Sequence, residues 1–237
     1  MSSQLSNTFQ NLNNAAGTWS LLFPDNVPLA TTKLEDQIIN HLWDDIELAK
    51  KKRKENLHNS RLAGNLSESL VLTDNNDVLI DYLREPCTNY VSDFLMQAPV
   101  NRNIWRWDGS QSNQEVRLVL ENLWVNNQKQ NEFNPLHYHS GVVSFVIWLK
   151  IPTDYREQHA LPFVGNSNKP SASNFEVLYQ MIDGSLANHS FFLDKEAEGQ
   201  MLIFPSNLMH QVYPFYNCDD ERVSISGNLF YERLSKD

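Results

Sequence analysis

Apolar residues in the first part of the chain recur every three or four residues, the spacing of one face of an α-helix. The first such stripe is formed by Leu34, Ile38, Leu42, Ile46 and Leu48. Thr31 or Thr32, with Glu35 behind it, is typical of a helix N-terminus. A second helical pattern covers residues 76–96, where Pro86 favours a break. The N-terminal part of the chain is therefore predicted to contain a tail and two helices.

From Ile104 onward the apolar positions alternate with a period of two, which is typical of strands with one buried face. The strand-like segments are 116–125, 141–151, 175–181, 191–194, 200–204 and 222–231. The long polar segment 153–174 is predicted to be a loop that selects the substrate. Strands in this order after two helices predict a mainly β protein, an antiparallel sandwich or barrel with the helices on one outer face.

Composition adds limits on the size and class of the protein. The 237 residues are 41% hydrophobic and 20% charged, which suits one domain. Within it we expect the tail and supporting helices in residues 1–103 and the β core in residues 104–237. The net charge of −10 argues against general nucleic-acid binding, and the longest apolar run, 142–149, is too short to span a membrane. Two cysteines and a polar N-terminus predict a soluble, cytoplasmic protein.

Two histidines separated by one residue, His137 and His139, precede the apolar run 141–151. If they open this strand, alternation places both imidazoles on one face together with Val143 and Phe145. Two imidazoles on one face can converge on a metal ion. A pair of loop histidines before a core strand is the other interpretation, and the pair alone does not decide between them.

A second polar pattern follows the apolar segment 199–205. His210 comes soon after this segment, and Arg222 opens a strand whose alternation groups it with Ser224 and Ser226. A guanidinium that points into a barrel needs an anion, because it does not lose its charge. The anion could be a ligand or an internal carboxylate; an arginine at the exposed rim would need neither.

Together these residues resemble the jelly-roll Fe(II)/2-oxoglutarate-dependent oxygenases, especially a branch whose first motif is HxH. The resemblance covers residues 121–231. The segments that carry it are Leu123-Trp124-Val125-Asn126, the HxH segment 134–141, Leu202-Ile203-Phe204-Pro205 with His210, and Arg222-Val223-Ser224. The order of the motifs is specific, because His210 follows the HxH motif by 71 residues and Arg222 follows His210 by 12.

The resemblance implies a double-stranded β-helix, a cupin-like jelly roll, buttressed by the N-terminal helices in a single oxygenase domain. It also implies that His137 and His210 bind Fe(II) and that Arg222, helped by Ser224, pairs with the distal carboxylate of 2-oxoglutarate. Asn126 could reach the same co-substrate. O2 and an unidentified substrate complete the reaction that the resemblance implies, a hydroxylation.

His139 departs from the family pattern, because most members have Asp or Glu at this position. We expect His139 to be the third metal ligand, while Glu121, Glu132 and Asp154 are acidic residues that could take that role instead. Three histidines also suit a cupin-type dioxygenase that does not use 2-oxoglutarate. A zinc-filled or non-catalytic jelly-roll binding module is a further alternative. The histidines expected to be structural or exposed are His41, His58, His159 and His189.

Overall fold

Two antiparallel sheets and a layer of helices form the computed structural model of the protein. The structure describes residues 11–14, 17–22, 27–59, 63–95, 116–181 and 183–233. The start of the predicted tail and the predicted start of the β core at Ile104 lie outside the described residues. The mainly β fold with N-terminal helices is confirmed.

The first five strands belong to the large sheet, and from the fifth strand onward the chain crosses repeatedly between the two sheets. In chain order they are β1 (Asn11–Asn14), β2 (Gly17–Leu22), β3 (Leu29–Lys33), β4 (Glu68–Val71), β5 (Val116–Gln128), β6 (Asn134–His137), β7 (Val143–Lys150), β8 (Phe175–Gln180), β9 (Leu186–Phe191), β10 (Gln200–Pro205), β11 (Met209–Val212) and β12 (Arg222–Arg233). The large sheet has the order β1-β2-β3-β10-β7-β12-β5-β4, and the small sheet has the order β6-β11-β8-β9. From β5 to β12 this connectivity is that of a double-stranded β-helix.

The two long helices, α1 (Asp36–Lys51) and α3 (Val78–Tyr90), cover the outer face of the large sheet, and α3 continues into a π-helical turn at Val91–Leu95. The short helices are α2 (Arg53–Asn56) and α4 (Tyr155–His159). Leu42 of α1 and Leu83 of α3 share one buried cluster with Val125, Ile147 and Ile225 of the sheet. Most of the predicted apolar stripe therefore packs against the sheet, as one face of an amphipathic helix should, but its last member, Leu48, is exposed. Within the described residues, no helix is both long enough and apolar enough to cross a membrane.

Two predicted details of the helices are wrong. Thr31 and Thr32 do not cap α1, because both lie in β3, where they pair with β10. The helix begins at Asp36, and its N-cap residue Glu35 makes no side-chain capping bond. Nor does Pro86 end the second helix, since α3 runs through it to Tyr90. In both places tertiary packing overrides the local signal.

The predicted strand at residues 191–194 is also displaced. The structure has β9 at Leu186–Phe191, where it pairs along its whole length with β8. Polar and apolar residues do not alternate along this edge strand, so no period of two marks it in the sequence. Pairing with β8, rather than its own residues, sets its bounds.

A glycine in the middle of the large sheet gives a stability prediction. A Cβ atom at Gly227 of β12 would lie 2.4 Å from Phe145 Cζ and 2.8 Å from the Asn122 carbonyl oxygen. Gly227→Ala is therefore expected to lower the free energy of unfolding by about 1–3 kcal/mol through overpacking. Urea denaturation measures this, with Ser226→Ala at the adjacent position as the control. An unchanged midpoint in Gly227→Ala would show that the sheet relaxes freely here.

Candidate metal centre and its cavity

Three histidines meet where the small sheet faces the interior. His137 is the last residue of β6 and pairs with His210 of β11. His139 lies in the connection to β7, where its backbone N–H donates to the Ser206 carbonyl at 2.8 Å. Its Nε2 atom is 3.2 Å from Nε2 of His210, and one ring nitrogen from each of the three lies within 4.8 Å of the others. The predicted convergence of these imidazoles is thus seen in the structure.

Backbone carbonyls fix which nitrogen of two of these rings carries the proton. Nδ1 of His137 lies 2.6 Å from the Pro135 carbonyl oxygen, and Nδ1 of His210 lies 2.8 Å from that of Leu208. A carbonyl oxygen only accepts hydrogen bonds, so each Nδ1 must donate. In the neutral rings, Nε2 is left with a free lone pair. This is how proteins orient histidines that bind metals.

Burial keeps the three rings neutral. Desolvation lowers the pKa of His137. The pKa of His139 is lowered to about 4, mainly by desolvation and further by the neighbouring His137. Desolvation, followed by the two neighbouring histidines, holds the pKa of His210 well below its usual range. Neutral imidazole is the form that coordinates a metal, so all three rings are ready to bind at neutral pH. Three nitrogen donors suit iron, zinc or copper.

The strand that carries the HxH motif differs from the prediction. After His137 the chain leaves the small sheet and enters the large one only at Val143, so the two histidines do not open β7. Gly141 sits in this crossing with φ of 114°, and a Cβ atom there would be 2.9 Å from the Leu229 carbonyl oxygen. Val143 and Phe145 belong to the cluster beneath the helices, and only Phe145 also lines the cavity that contains the histidines.

A cavity of about 350 Å³ between the two sheets contains the metal-binding nitrogens. Aromatic side chains of both sheets, Trp148, Phe175 and Phe204, form one wall. Among the described residues, no carboxylate lines it. The predicted loop 153–174 lines no part of it either; its Ser173 instead contacts Arg222.

The acidic residues that could have replaced His139 are engaged elsewhere. Glu132 accepts hydrogen bonds from the backbone N–H groups of Ser67 and Lys129. Asp154 caps α4, and Glu121 lines a different cavity. None of the three belongs to the cluster around the histidines. His139 is therefore the only one of the four candidates for the third ligand that the structure brings there.

Arg222 is a buried cation without a carboxylate partner in the described part of the chain. Its side chain is almost fully buried, and the residue is 1% exposed. The guanidinium donates to Gln128 Oε1 at 3.3 Å and to the carbonyl and hydroxyl oxygens of Ser173, but its Nε has no hydrogen-bond partner. Desolvation lowers its pKa to about 9. Both alternatives, an internal salt bridge and an exposed rim position, are therefore wrong.

Polar side chains of β5 and β12 form the floor of the cavity. Ser224 pairs in register with Asn126, and Ser226 with Trp124. Buried polar atoms in proteins nearly always have a hydrogen-bond partner. Here Asn126 Oδ1 and Trp124 Nε1 have none, as is also true of Arg222 Nε, and all three residues line the cavity. Three such atoms around one cavity indicate a site shaped for a polar ligand.

His58 and Trp124 line the cavity but were not predicted as site residues from the sequence. The His58 ring stacks on Trp124 with ring centroids 5.5 Å apart, and Trp124 in turn lies 5.4 Å from the ring of His139. His58 comes from the segment between α2 and β4, far from the other motifs. No local pattern in the sequence marks it, because only the fold brings it to the cavity.

Three convergent imidazoles and a buried arginine enclosed by the sheets of a jelly roll form an arrangement that could hold a metal ion. Residues 122–228 match the family model described as "Putative 2OG-Fe(II) oxygenase", so the match runs from β5 to β12. This part of the chain is therefore similar to the Fe(II)/2-oxoglutarate oxygenase family, as the motifs predicted. This similarity supports the predicted enzyme class, oxidoreductase, and the predicted Fe(II) and 2-oxoglutarate, which are the metal and the co-substrate of that family.

A Pseudomonas putida prolyl-4-hydroxylase is one of the solved structures with a similar chain course. The two sequences are 13% identical, the TM-score is 0.46, and the alignment covers 87% of this chain and 93% of the hydroxylase. Another is a Trichoplax adhaerens prolyl hydroxylase solved with a hypoxia inducible factor peptide fragment, with 13% identity, a TM-score of 0.42, and coverage of 86% and 82%. No curated protein matches the sequence.

Proposed function

We propose that the protein is an Fe(II)/2-oxoglutarate-dependent hydroxylase in which His137, His139 and His210 hold the iron. The observation that supports the proposal is the lining of one cavity. Three neutral imidazoles and one buried guanidinium line it, and no carboxylate lies on its described walls. A divalent metal on neutral ligands beside a permanent cation creates a strongly positive site. Such a site favours a ligand with two negative charges.

A dicarboxylate such as 2-oxoglutarate satisfies both positive groups at once. One end meets the metal, and the other meets Arg222, whose Nε is free to donate. Ser224 lines the cavity next along the same face of β12, and its hydroxyl can add a hydrogen bond. Asn126, directly opposite Ser224, offers a further polar atom without a partner. Charge-assisted hydrogen bonds to a guanidinium are the strongest available for a carboxylate.

The protein's own residues have supporting roles in this reaction. When bound, Fe(II) supplies the oxidative chemistry that couples decarboxylation of 2-oxoglutarate by O2 to hydroxylation of a C–H bond. The carbonyls of Pro135 and Leu208 hold two of the imidazoles in the metal-binding tautomer. Phe175 and Phe204 form part of an apolar wall that limits water near the centre. The exposed Tyr138 lies at the cavity and is placed to meet the substrate.

The presence of His139 in place of a carboxylate favours one second candidate. A three-histidine iron site suits a dioxygenase that binds its substrate directly on the metal and does not use 2-oxoglutarate. In that case Arg222 would bind a carboxylate of the substrate itself.

Turnover of 2-oxoglutarate distinguishes the two functions. The purified protein, loaded anaerobically with Fe(II), is expected to bind 2-oxoglutarate with a dissociation constant below about 1 mM. After O2 is admitted it should release succinate in amounts that exceed the enzyme. Metal analysis of the same sample identifies a zinc-filled site. Binding of Fe(II) with neither 2-oxoglutarate binding nor succinate would favour the three-histidine dioxygenase.

We further propose that the protein works in the cytoplasm, where thiols stay reduced. Both cysteines, Cys87 and Cys218, are free in the structure. Burial raises the pKa of the Cys87 thiol to about 12, which makes it unreactive. Thiol titration of the protein, purified without reductant and then denatured, should find two free thiols. A dimer linked by a disulfide through Cys218 would contradict this location.

A further inference from the structure

A second group of metal-ligand side chains lies in the helical layer, apart from the oxygenase cavity. His41 and Asp45 are one turn apart on α1, and Asp74 comes just before α3. His41 Nε2 lies 3.2 Å from Asp45 Oδ2 and 3.3 Å from Asp74 Oδ1. None of the three lines the oxygenase cavity. One nitrogen and two carboxylate oxygens thus converge from two separate elements.

One oxygen in this group has no hydrogen-bond donor. The Asp45 side chain is only 1% exposed, and its Oδ2 accepts no hydrogen bond although it faces His41. Its other oxygen, Oδ1, accepts from the side-chain amide of Asn75. A buried carboxylate oxygen without a hydrogen-bond donor is costly unless a positive charge lies beside it. The atom is therefore aimed at a position where a cation would compensate it.

The spacing of the group matches the ligands of a small divalent cation. Zinc binds histidine nitrogen and carboxylate oxygen at about 2.0–2.2 Å in tetrahedral geometry, which separates neighbouring ligand atoms by about 3.3 Å. The two distances from His41 to the carboxylates agree with that separation. Two carboxylates also neutralise the charge of the ion, as a largely buried site requires.

Surrounding groups orient the two carboxylates as they do in known metal sites. The backbone N–H groups of Leu79 and Ile80, in the first turn of α3, donate to Asp74 at 2.9 and 2.8 Å. Asn75 orients Asp45 in the same way. Such outer hydrogen bonds fix ligand geometry before the metal arrives.

We propose that His41, Asp45 and Asp74 form a structural site for a divalent cation of the zinc class. The ion joins α1 to the start of α3 and thereby fixes the helical layer that covers the large sheet. A water molecule completes four ligands. The site does not depend on the proposed oxygenase function, since it shares no residue with the three-histidine centre.

Zinc binding to a protein that lacks the first site tests the proposal. In a His137→Ala/His210→Ala double variant, calorimetric titration with Zn²⁺ is expected to show one equivalent bound, with a rise in Tm. Adding Asp45→Asn should weaken that binding at least about 100-fold, because it removes a charged ligand with little change in shape. Asp44→Asn, a change at the exposed neighbouring position of the same helix, is the matched control and should keep full binding.

A second variant and a spectroscopic probe keep the test decisive. If Asp45→Asn does not fold, His41→Asn at the half-buried end of the group serves in its place. Co²⁺ bound to the double variant should give the intense visible bands of a tetrahedral ion, and these bands should be absent in His41→Asn. If the double variant binds no Zn²⁺, or binds it equally well after Asp45→Asn, His41 only contacts the two carboxylates directly and the proposal is wrong.

Discussion

Replacing His210 with alanine is expected to abolish stoichiometric Fe(II) binding and, with it, all 2-oxoglutarate turnover. His210 is the most deeply buried of the three rings, and its Nε2 lies 3.2 Å from that of His139. A metal held by three neutral nitrogens has no protein carboxylate to keep it when one nitrogen is lost. We expect affinity to fall at least about 100-fold, as measured by anaerobic titration with Fe(II) or Mn(II).

Two other variants separate loss of a ligand from loss of the fold. His189→Ala changes a partly buried histidine on β9 of the same small sheet that does not line the cavity, so metal binding should be unchanged. His139→Asp should retain the metal, because two histidines and a carboxylate form a common iron triad. Full iron occupancy in His210→Ala, with wild-type unfolding, would place the metal elsewhere.

The large-sheet strands with long apolar patterns were predictable from the sequence, as was β8 of the small sheet, whereas β6 and β11 were not. The bounds of β12 follow from its alternation, and those of β10 follow from a continuous apolar run, because both faces of β10 are buried. The strands β6 and β11 have four residues each, too few to show a period. Their existence depends on pairing with each other, which is not a property of either segment alone.

The convergence of the HxH motif was predicted correctly, but for an incomplete reason. Alternation along one strand was expected to bring His137 and His139 together. The structure instead places His137 at the end of a small-sheet strand and holds His139 through its bond to Ser206. A crossing between sheets over five residues has no sequence signature except its glycine, because the sheet that each end joins is decided by long-range pairing.

The surroundings of Arg222 could also be predicted only in part from the sequence. The inward row of β12 could be predicted from alternation, and so could the need of a guanidinium for an anion. The contacts that hold its head, from Ser173 and Gln128, come from segments 49 and 94 residues away. The lack of a carboxylate partner became visible only when the fold had brought these segments together.

That lack of a partner leads to the second large effect, on binding of the co-substrate. Arg222→Met is expected to weaken 2-oxoglutarate binding to the Mn(II)-loaded protein by a factor between roughly 30 and several thousand, since losing one member of a desolvated charge pair costs about 2–5 kcal/mol. Methionine keeps much of the apolar volume and removes the charge. Anaerobic calorimetric titration of 2-oxoglutarate measures the change, and Arg222→Lys should lose less because it keeps a cation.

The stability of Arg222→Met and a control variant at a surface arginine show whether a loss of 2-oxoglutarate binding comes from the missing guanidinium. Without ligand, the wild-type protein buries a guanidinium that has no carboxylate partner on the described walls, so Arg222→Met should unfold at the same or a higher denaturant concentration. Arg117→Met removes an exposed arginine paired with Glu232 and should leave 2-oxoglutarate binding unchanged.

Ser224→Ala removes one hydrogen bond worth about 0.5–1.5 kcal/mol and should weaken binding about 2- to 13-fold. If Arg222→Met binds 2-oxoglutarate as tightly as the wild type, the guanidinium serves only to join Ser173 to Gln128. The buried cation then requires no diacid, and the three-histidine dioxygenase explains the cavity better.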